Sequence, residues 1–255
     1  MYNGKEVYLG LDVSTKTIGV CLLADDGSEH GNILELTHIT PKVTKKKCPP
    51  IEELFIKKNL FEEFILKFKD YGIDHVVIEE PLLLSNNAMT VSTLLRFNGM
   101  ISETVYRLFG IVPEYISSYD ARKYAFPELV APRKYGKNDE RYPDDKIIKE
   151  VKKGSFVLFG GYPWTIDKKT IVQNKVSEYF PSIEWLYDKK GSLLKQNFDA
   201  ADAYVAVLGH LNKKKNGELN FELVDMQDDS NTKERCISYT VSYWEKKETR
   251  KIYLK

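Results

Sequence analysis

Between residues 7 and 125 the chain alternates short apolar, β-branched runs with long stretches of helical periodicity, and that alternation leaves few folds open. Val7-Tyr8-Leu9-Gly10-Leu11-Asp12-Val13 reads as a strand, Ser14-Thr15-Lys16-Thr17 as a turn, and Ile18-Gly19-Val20-Cys21-Leu22-Leu23 as a second strand. Asp25-Asp26-Gly27 is a further turn signal before a third strand over residues 33–39. These three elements predict an antiparallel meander. Pro49-Pro50 then opens a helix with Leu54, Phe55, Phe61, Phe64, Ile65 and Phe68 at mostly helical spacing, and Gly72 is suited to end it in a left-handed conformation. A buried strand follows at residues 75–78 and stops at Glu79-Glu80-Pro81. A second helical pattern covers about 88–108 and is closed by Gly110. Residues 111–116 form the next strand candidate, ahead of a short helix through Asp120-Ala121-Arg122-Lys123. Strand, helix, strand, helix, strand in this order requires right-handed crossovers between parallel strands. The expected class is α/β, with a mixed sheet of antiparallel meander plus parallel strands, flanked by helices.

Residues 127–167 break that rhythm with Pro127, Pro132, Gly136 and Pro143, a short helix over 144–153 and a hairpin arm near 156–161. They read as an insertion beside the site. A helix resumes over 168–180, and an alanine-rich helix follows the loop around Gly191. Beyond His210 three alternating segments, 221–224, 237–244 and 251–254, predict a small β appendage. The expected organisation is one domain over 1–212, interrupted at about 127–167, and a β-rich extension over 213–255.

Composition narrows the class without naming a function. With 42% hydrophobic and 29% charged residues the chain can bury one large core and is not a disordered polyelectrolyte. No apolar run approaches the roughly 20 residues that span a bilayer. The start, Met1-Tyr2-Asn3-Gly4-Lys5-Glu6, lacks the basic and apolar regions of a secretory signal. Cys21, Cys48 and Cys236 are too scattered for a disulfide framework or a zinc motif, and Cys21, His75 and His210 read as structural. A reducing, cytoplasmic location is expected (host cytoplasm if the chain is phage-encoded). The net charge of +1 hides an uneven distribution. Lys42, Lys45, Lys46, Lys47, Lys57 and Lys58 cluster, and 133–153 and 168–195 are also lysine-rich. A single lysine run is usually just a solvated face, although the distribution of charge says more about partners than the sum does.

Chemistry concentrates in four carboxylates. Asp199 and Asp202 in Phe198-Asp199-Ala200-Ala201-Asp202-Ala203 sit three apart on a strongly helical segment and so share a face, where like charges repel. The alternative is an N-cap aspartate followed by a solvated one. Asp12 interrupts an apolar strand, where an unpaired charge is costly, although it could also open the turn. Glu79 ends a parallel strand at the carboxyl edge, where open α/β sheets hold ligands, although taken alone it is equally readable as an exposed strand-end acid. Together Asp12, Glu79, Asp199 and Asp202 make an oxygen-only donor set suited to Mg²⁺ or Mn²⁺ and poorly suited to zinc. Two such ions would form a phosphodiester-hydrolysing clamp.

Leu9-Gly10-Leu11-Asp12-Val13-Ser14 with Gly19-Val20, then Val77-Ile78-Glu79-Glu80, then Asp199-Ala200-Ala201-Asp202-Ala203 resemble, in this order, the RuvC-type Holliday junction resolvases of the RNase H-like superfamily. The likeness spans about residues 5–125 and 168–212. It implies a Mg²⁺-dependent endonuclease with two ions per site, Asp12, Glu79, Asp199 and Asp202 as ligands, and four-way DNA junctions as substrate. It also implies a homodimer with the helix around 88–108 at its interface. Lys123 and Lys169 are the candidates for basic residues near the scissile phosphate. The bacterial enzymes carry an aromatic wedge three residues after the catalytic glutamate; Leu82 stands there in this chain, and Leu82, Leu83 or Leu84 would have to serve. The insertion and tail have no match in those compact enzymes and suit divergent viral or organellar ones.

Two other readings remain. One is another RNase H-like nuclease acting on flaps, branched DNA or RNA–DNA hybrids. The other is an actin-like or sugar-kinase-type ATPase, because Asp12-Val13-Ser14-Thr15-Lys16-Thr17 also resembles a first phosphate loop. That fold needs a second Asp-x-Gly loop, and none occurs after residue 110.

Overall fold

The structure is a computed structural model that describes residues 4–45, 47–81, 87–127, 131–133, 157–159, 168–219, 222–229 and 235–254. It divides into two units: residues 1–121 with 169–210, and 122–168 with 211–255, the divisions falling inside helices.

The first unit is built on a five-stranded sheet. Its strands are β1 (Val7–Val13), β2 (Ile18–Ala24), β3 (Asn32–Ile39), β4 (His75–Glu79) and β5 (Glu114–Ile116). They lie in the order β3-β2-β1-β4-β5. β1, β2 and β3 pair antiparallel, whereas β1–β4 and β4–β5 pair parallel. The mixed sheet expected from the alternating pattern is therefore the one formed. β1 and β2 are buried along almost their whole length, as the apolar runs require.

Two helices supply the crossovers: α1 (Pro50–Ile65), which tightens into a 3₁₀ segment over Leu66–Tyr71, and α2 (Ala88–Phe109). Gly72 and Gly110 take φ values of 66° and 71° at the two helix ends, a conformation that costs glycine nothing. Asn87 caps α2 by accepting from the backbone amides of Met89 and Thr90. Val7, Leu9, Leu11, Val13, Ile18, Val20 and Leu22 from one face of the sheet pack against Leu54, Phe61 and Ile65 of α1 and Phe97, Ile101 and Val105 of α2. Strand β5 is shorter than the apolar run 111–116 suggests. Its preceding residue, Pro113, has no amide hydrogen to donate to a ladder.

The chain continues through α3 (Ser118–Ala125), α4 (Lys168–Tyr179) and α5 (Gln196–Asn216). The second unit holds a two-stranded antiparallel pair, β6 (Ala131–Arg133) with β7 (Val157–Phe159), and the C-terminal sheet. That sheet consists of β8 (Glu222–Asp229), β9 (Arg235–Tyr243) and β10 (Lys246–Leu254) in antiparallel order β10-β9-β8. The tail is thus the β appendage its alternation predicts. The expected helix at 144–153 lies outside the described residues. Among the described residues no helix is long and apolar enough to cross a membrane.

Candidate active site

Strand alternation explains how one aspartate comes to stand in an apolar strand. Val7, Leu9, Leu11 and Val13 enter the layer with α1 and α2, so Tyr8, Gly10 and Asp12 face the other way. In the parallel pairing Leu11 stands opposite Ile78. The same register carried one residue further sets Asp12 beside Glu79, the last residue of β4, on strands ~4.8 Å apart. Two of the four acids meet through register alone.

Helix α5 supplies the other two from above that face. Ala200, Ala201, Ala203, Tyr204, Val205, Ala206, Val207 and Leu208 are all buried, so the helix is apolar on nearly every side. Two glycines let it settle onto the sheet. A Cβ at Gly10 would collide with Val207 and the Ala203 carbonyl, and one at Gly19 would collide with the Asp199 carbonyl. Gly19 is the antiparallel partner of Asp12 across β1 and β2. The backbone of Asp199 therefore rests on the strand position adjoining Asp12. These glycines escaped the sequence reading as site residues. Glycine inside two paired strands, met by an alanine-rich helix, is the signal for such a close approach.

Asp199 lies in the first turn of α5, where the helix dipole favours a carboxylate. It is not the N-cap, which removes the simplest alternative to a shared site. Asp202 follows on the same face, and the side chains of Asp199 and Asp202 are only 21% and 14% exposed. The turn after Asp12 is held by Ser14, whose hydroxyl donates to the Thr17 carbonyl at 2.8 Å and accepts from the Thr17 amide at 3.0 Å.

The four acids form one electrostatic site. Burial pushes the Asp12 carboxyl well above the usual carboxylate range, and the charges of Glu79, Asp202 and Asp199 push it the same way, while Lys169 opposes them. Burial also raises Asp199, again opposed by Lys169. The Lys169 ammonium lies 3.9 Å from Asp199 Oδ1 and 4.0 Å from Asp202 Oδ2, with its side chain 56% exposed. At that range it acts by charge and not by a formed hydrogen bond. Lys123 belongs to the second unit, where its ammonium lies 4.9 Å from the Tyr124 ring centre. Leu82, Leu83 and Leu84 fall outside the described residues.

Among the described residues no group of three or more His, Cys, Asp or Glu side chains is placed to hold a metal ion as it stands. Glu79, Asp202 and Asp199 are near enough for their charges to act on Asp12. By chemistry the set fits a hard divalent cation: four carboxylates, two on strands and two on one helix, with no softer donor among them.

No protein-family model matches the sequence, and no curated protein matches it. Among solved structures, the chain is similar to RuvC of Thermus thermophilus in complex with a Holliday junction substrate. The identity is 11%, the match covers 83% of this chain and 96% of that one, and the TM-score is 0.47. It is similar also to the yeast mitochondrial Holliday junction resolvase, with 10% identity, 84% and 81% coverage and a TM-score of 0.48. A hexokinase of the ROK type from Thermus thermophilus matches over 49% of this chain and 39% of its own, at 15% identity and a TM-score of 0.29.

Proposed function

We propose that the chain is a Mg²⁺-dependent endonuclease that hydrolyses phosphodiester bonds in branched DNA, four-way junctions foremost, and that it acts as a homodimer. One observation carries the reading: the β1–β4 register and the seating of the first turn of α5 on Gly19 bring Asp12, Glu79, Asp199 and Asp202 to one end of the sheet. Four acids drawn from β1, β4 and α5 and held against their own repulsion have no structural need of one another. A divalent cation supplies the missing countercharge, and Mn²⁺ should substitute.

Asp12, Glu79, Asp199 and Asp202 would hold two ions. When bound, the ions lower the pKa of an attacking water and stabilise the charge on the leaving oxygen. The residues of the chain orient and balance. The β1–β4 register fixes Asp12 and Glu79 side by side. The Gly19 contact fixes the first turn of α5 above them. Lys169, whose side chain is 56% exposed beside the carboxylates, would partly neutralise a phosphate oxygen brought to the site. In the same role Lys123 is a proposal from the sequence alone.

The dimer reading is supported by surface chemistry on α1 and α2. Met89, Leu95 and Tyr106 of α2 and Phe55 of α1 are exposed. A cavity of about 420 Å³ lined by Phe55, Lys58, Arg96, Gly99, Met100 and Glu103 lies between the helices. Gly99 has open space where a side chain would stand.

A cleavage panel of four-way junction, fork, flap, duplex and RNA–DNA hybrid in Mg²⁺ tests the substrate. The expected result is paired, symmetric nicking of the junction at rates well above every other member. Preferential cleavage of flaps or hybrids would favour the broader RNase H-like reading. ATP binding detected by calorimetry with no effect of DNA would revive the kinase reading.

A further inference from the structure

We propose that the lysine-lined cavity at the foot of the β1–β2 turn is a seat for backbone phosphates of a DNA arm leaving the cleavage site. The proposal rests on the nuclease reading and gives it a footprint. The cavity is about 680 Å³ and is walled by Lys16 of the turn, by Thr40, Lys42, Thr44 and Lys45 of the segment after β3, and by Cys48 and Lys57. Among the described residues four lysines face a single lining carboxylate, Glu53.

The cations are not equivalent. Lys57 is committed: its ammonium pairs with Glu53 at 2.6 Å and donates to the Thr15 carbonyl at 2.7 Å, tying α1 to the turn. Lys45 pairs with Glu52 at 2.5 Å. Among the described residues neither Lys16 nor Lys42 has an ion-pair partner, and both are exposed. The walls are tied further by contact of the Thr17 and Thr40 hydroxyls at 3.3 Å. Lys47, just beyond, takes φ 61°, a conformation uncommon for a lysine. Two uncommitted ammonium groups on a braced frame make a receptor for anions.

The lining indicates which anion. Among the described residues no aromatic side chain lies in the wall to stack a base, and lysine is a point charge that positions phosphate without reading sequence. Placement points the same way. Lys16 lies four residues after Asp12, so their Cα atoms are at most ~14 Å apart. That bound is no longer than about four base-pair rises along a duplex axis at ~3.4 Å each. A strand whose scissile phosphate meets the four acids would carry its neighbouring phosphates past this cavity.

The test is the salt dependence of binding to a fluorescent four-way junction in EDTA, comparing wild type, the double variant Lys16→Ala/Lys42→Ala, and Lys69→Ala as an exposed-lysine control. Each phosphate contact contributes about 0.9 to the slope of log K against log salt. The double variant should therefore flatten the slope by about 1.8, while Lys69→Ala leaves it unchanged and thermal melting stays the same for all three. Junction DNA should also slow modification of Cys48 by N-ethylmaleimide, read by peptide mass spectrometry. An unaltered slope in the double variant overturns the inference while leaving the nuclease reading intact. So does equal protection of Cys48 by inorganic pyrophosphate at matched phosphate, which would mark a small-anion site. Failure of the wild type to bind any branched DNA at low salt is a different result, and it removes the nuclease reading itself.

Discussion

On one face of the five-stranded sheet, Val7, Leu9, Leu11 and Val13 sink into an apolar layer with Phe61, Phe68, Phe97 and Ile101. On the other face, the alternate residues Tyr8, Gly10 and Asp12 meet helix α5. The first face is filled by large side chains and gains stability from the area removed from water. The second gives up side-chain volume at Gly10 and Gly19 so that a helix backbone can lie against the strands, and it gathers charges that repel. Period-two alternation lets one strand do both. Stability and chemistry are thus divided between the faces, and substitutions on the two should fail in different ways.

The largest effect on folding belongs to the apolar face. Phe97, fully buried in α2, should lose about 3–5 kcal/mol on substitution by alanine. Denaturant unfolding would measure this, and cleavage per folded molecule should remain near wild type at temperatures below the melting point. On the opposite face Gly19→Ala pushes a methyl group into the Asp199 carbonyl. It should cost less stability, about 1–3 kcal/mol, yet cut cleavage by orders of magnitude, because α5 moves away from Asp12. If Gly19→Ala lost stability but kept full activity, the division between the faces would be wrong.

A third, smaller effect follows from the raised carboxyl of Asp12. Its proton is held more tightly in the folded state than in the unfolded, so its ionisation opposes folding. The contribution to stability is complete below the ordinary carboxylate range and is lost as pH rises through the elevated folded value. Asp12→Asn should therefore raise the melting temperature of the metal-free protein at neutral pH and flatten its fall from acid to neutral pH. Mg²⁺ should stabilise the wild type by mass action and stabilise the variant less. The smallest effect is expected at Lys169. Its ion pairs are long and its own side chain is more than half exposed, so Lys169→Ala should change stability by less than about 0.5 kcal/mol. Cleavage should nevertheless fall, read as a rate at saturating substrate.

Much of this arrangement was legible in the chain because it is written in local periodicities. The meander, both crossover helices and the β tail follow from alternation, helical spacing and the glycines at 72 and 110. Asp12 and Glu79 were readable because a charge inside or at the end of an apolar strand needs a reason. Asp199 and Asp202 were readable because three-residue spacing puts two like charges on one face. What could not be read is tertiary. The seating of α5 on Gly10 and Gly19 depends on contacts across about 190 residues, which no local pattern encodes. The cavity around Lys16 and Lys42 joins a turn to a loop more than 20 residues later, where the sequence displayed only a lysine run. Lys123 and Lys169 looked alike as basic helix residues; Lys169 lies beside Asp199 and Asp202 in the first unit, whereas Lys123 belongs to the second.

The central claim is that the four acids form one metal-dependent hydrolytic site, and Asp199→Asn tests it most directly. This substitution keeps the shape of the side chain and removes its charge from the first turn of α5. Wild type and variant would be incubated with a synthetic four-way junction in Mg²⁺, and binding to the same junction would be measured in EDTA. The account predicts junction cleavage by the wild type, loss of at least about a thousandfold in the variant, and nearly equal binding by both. Cleavage by Asp199→Asn at the wild-type rate would contradict it.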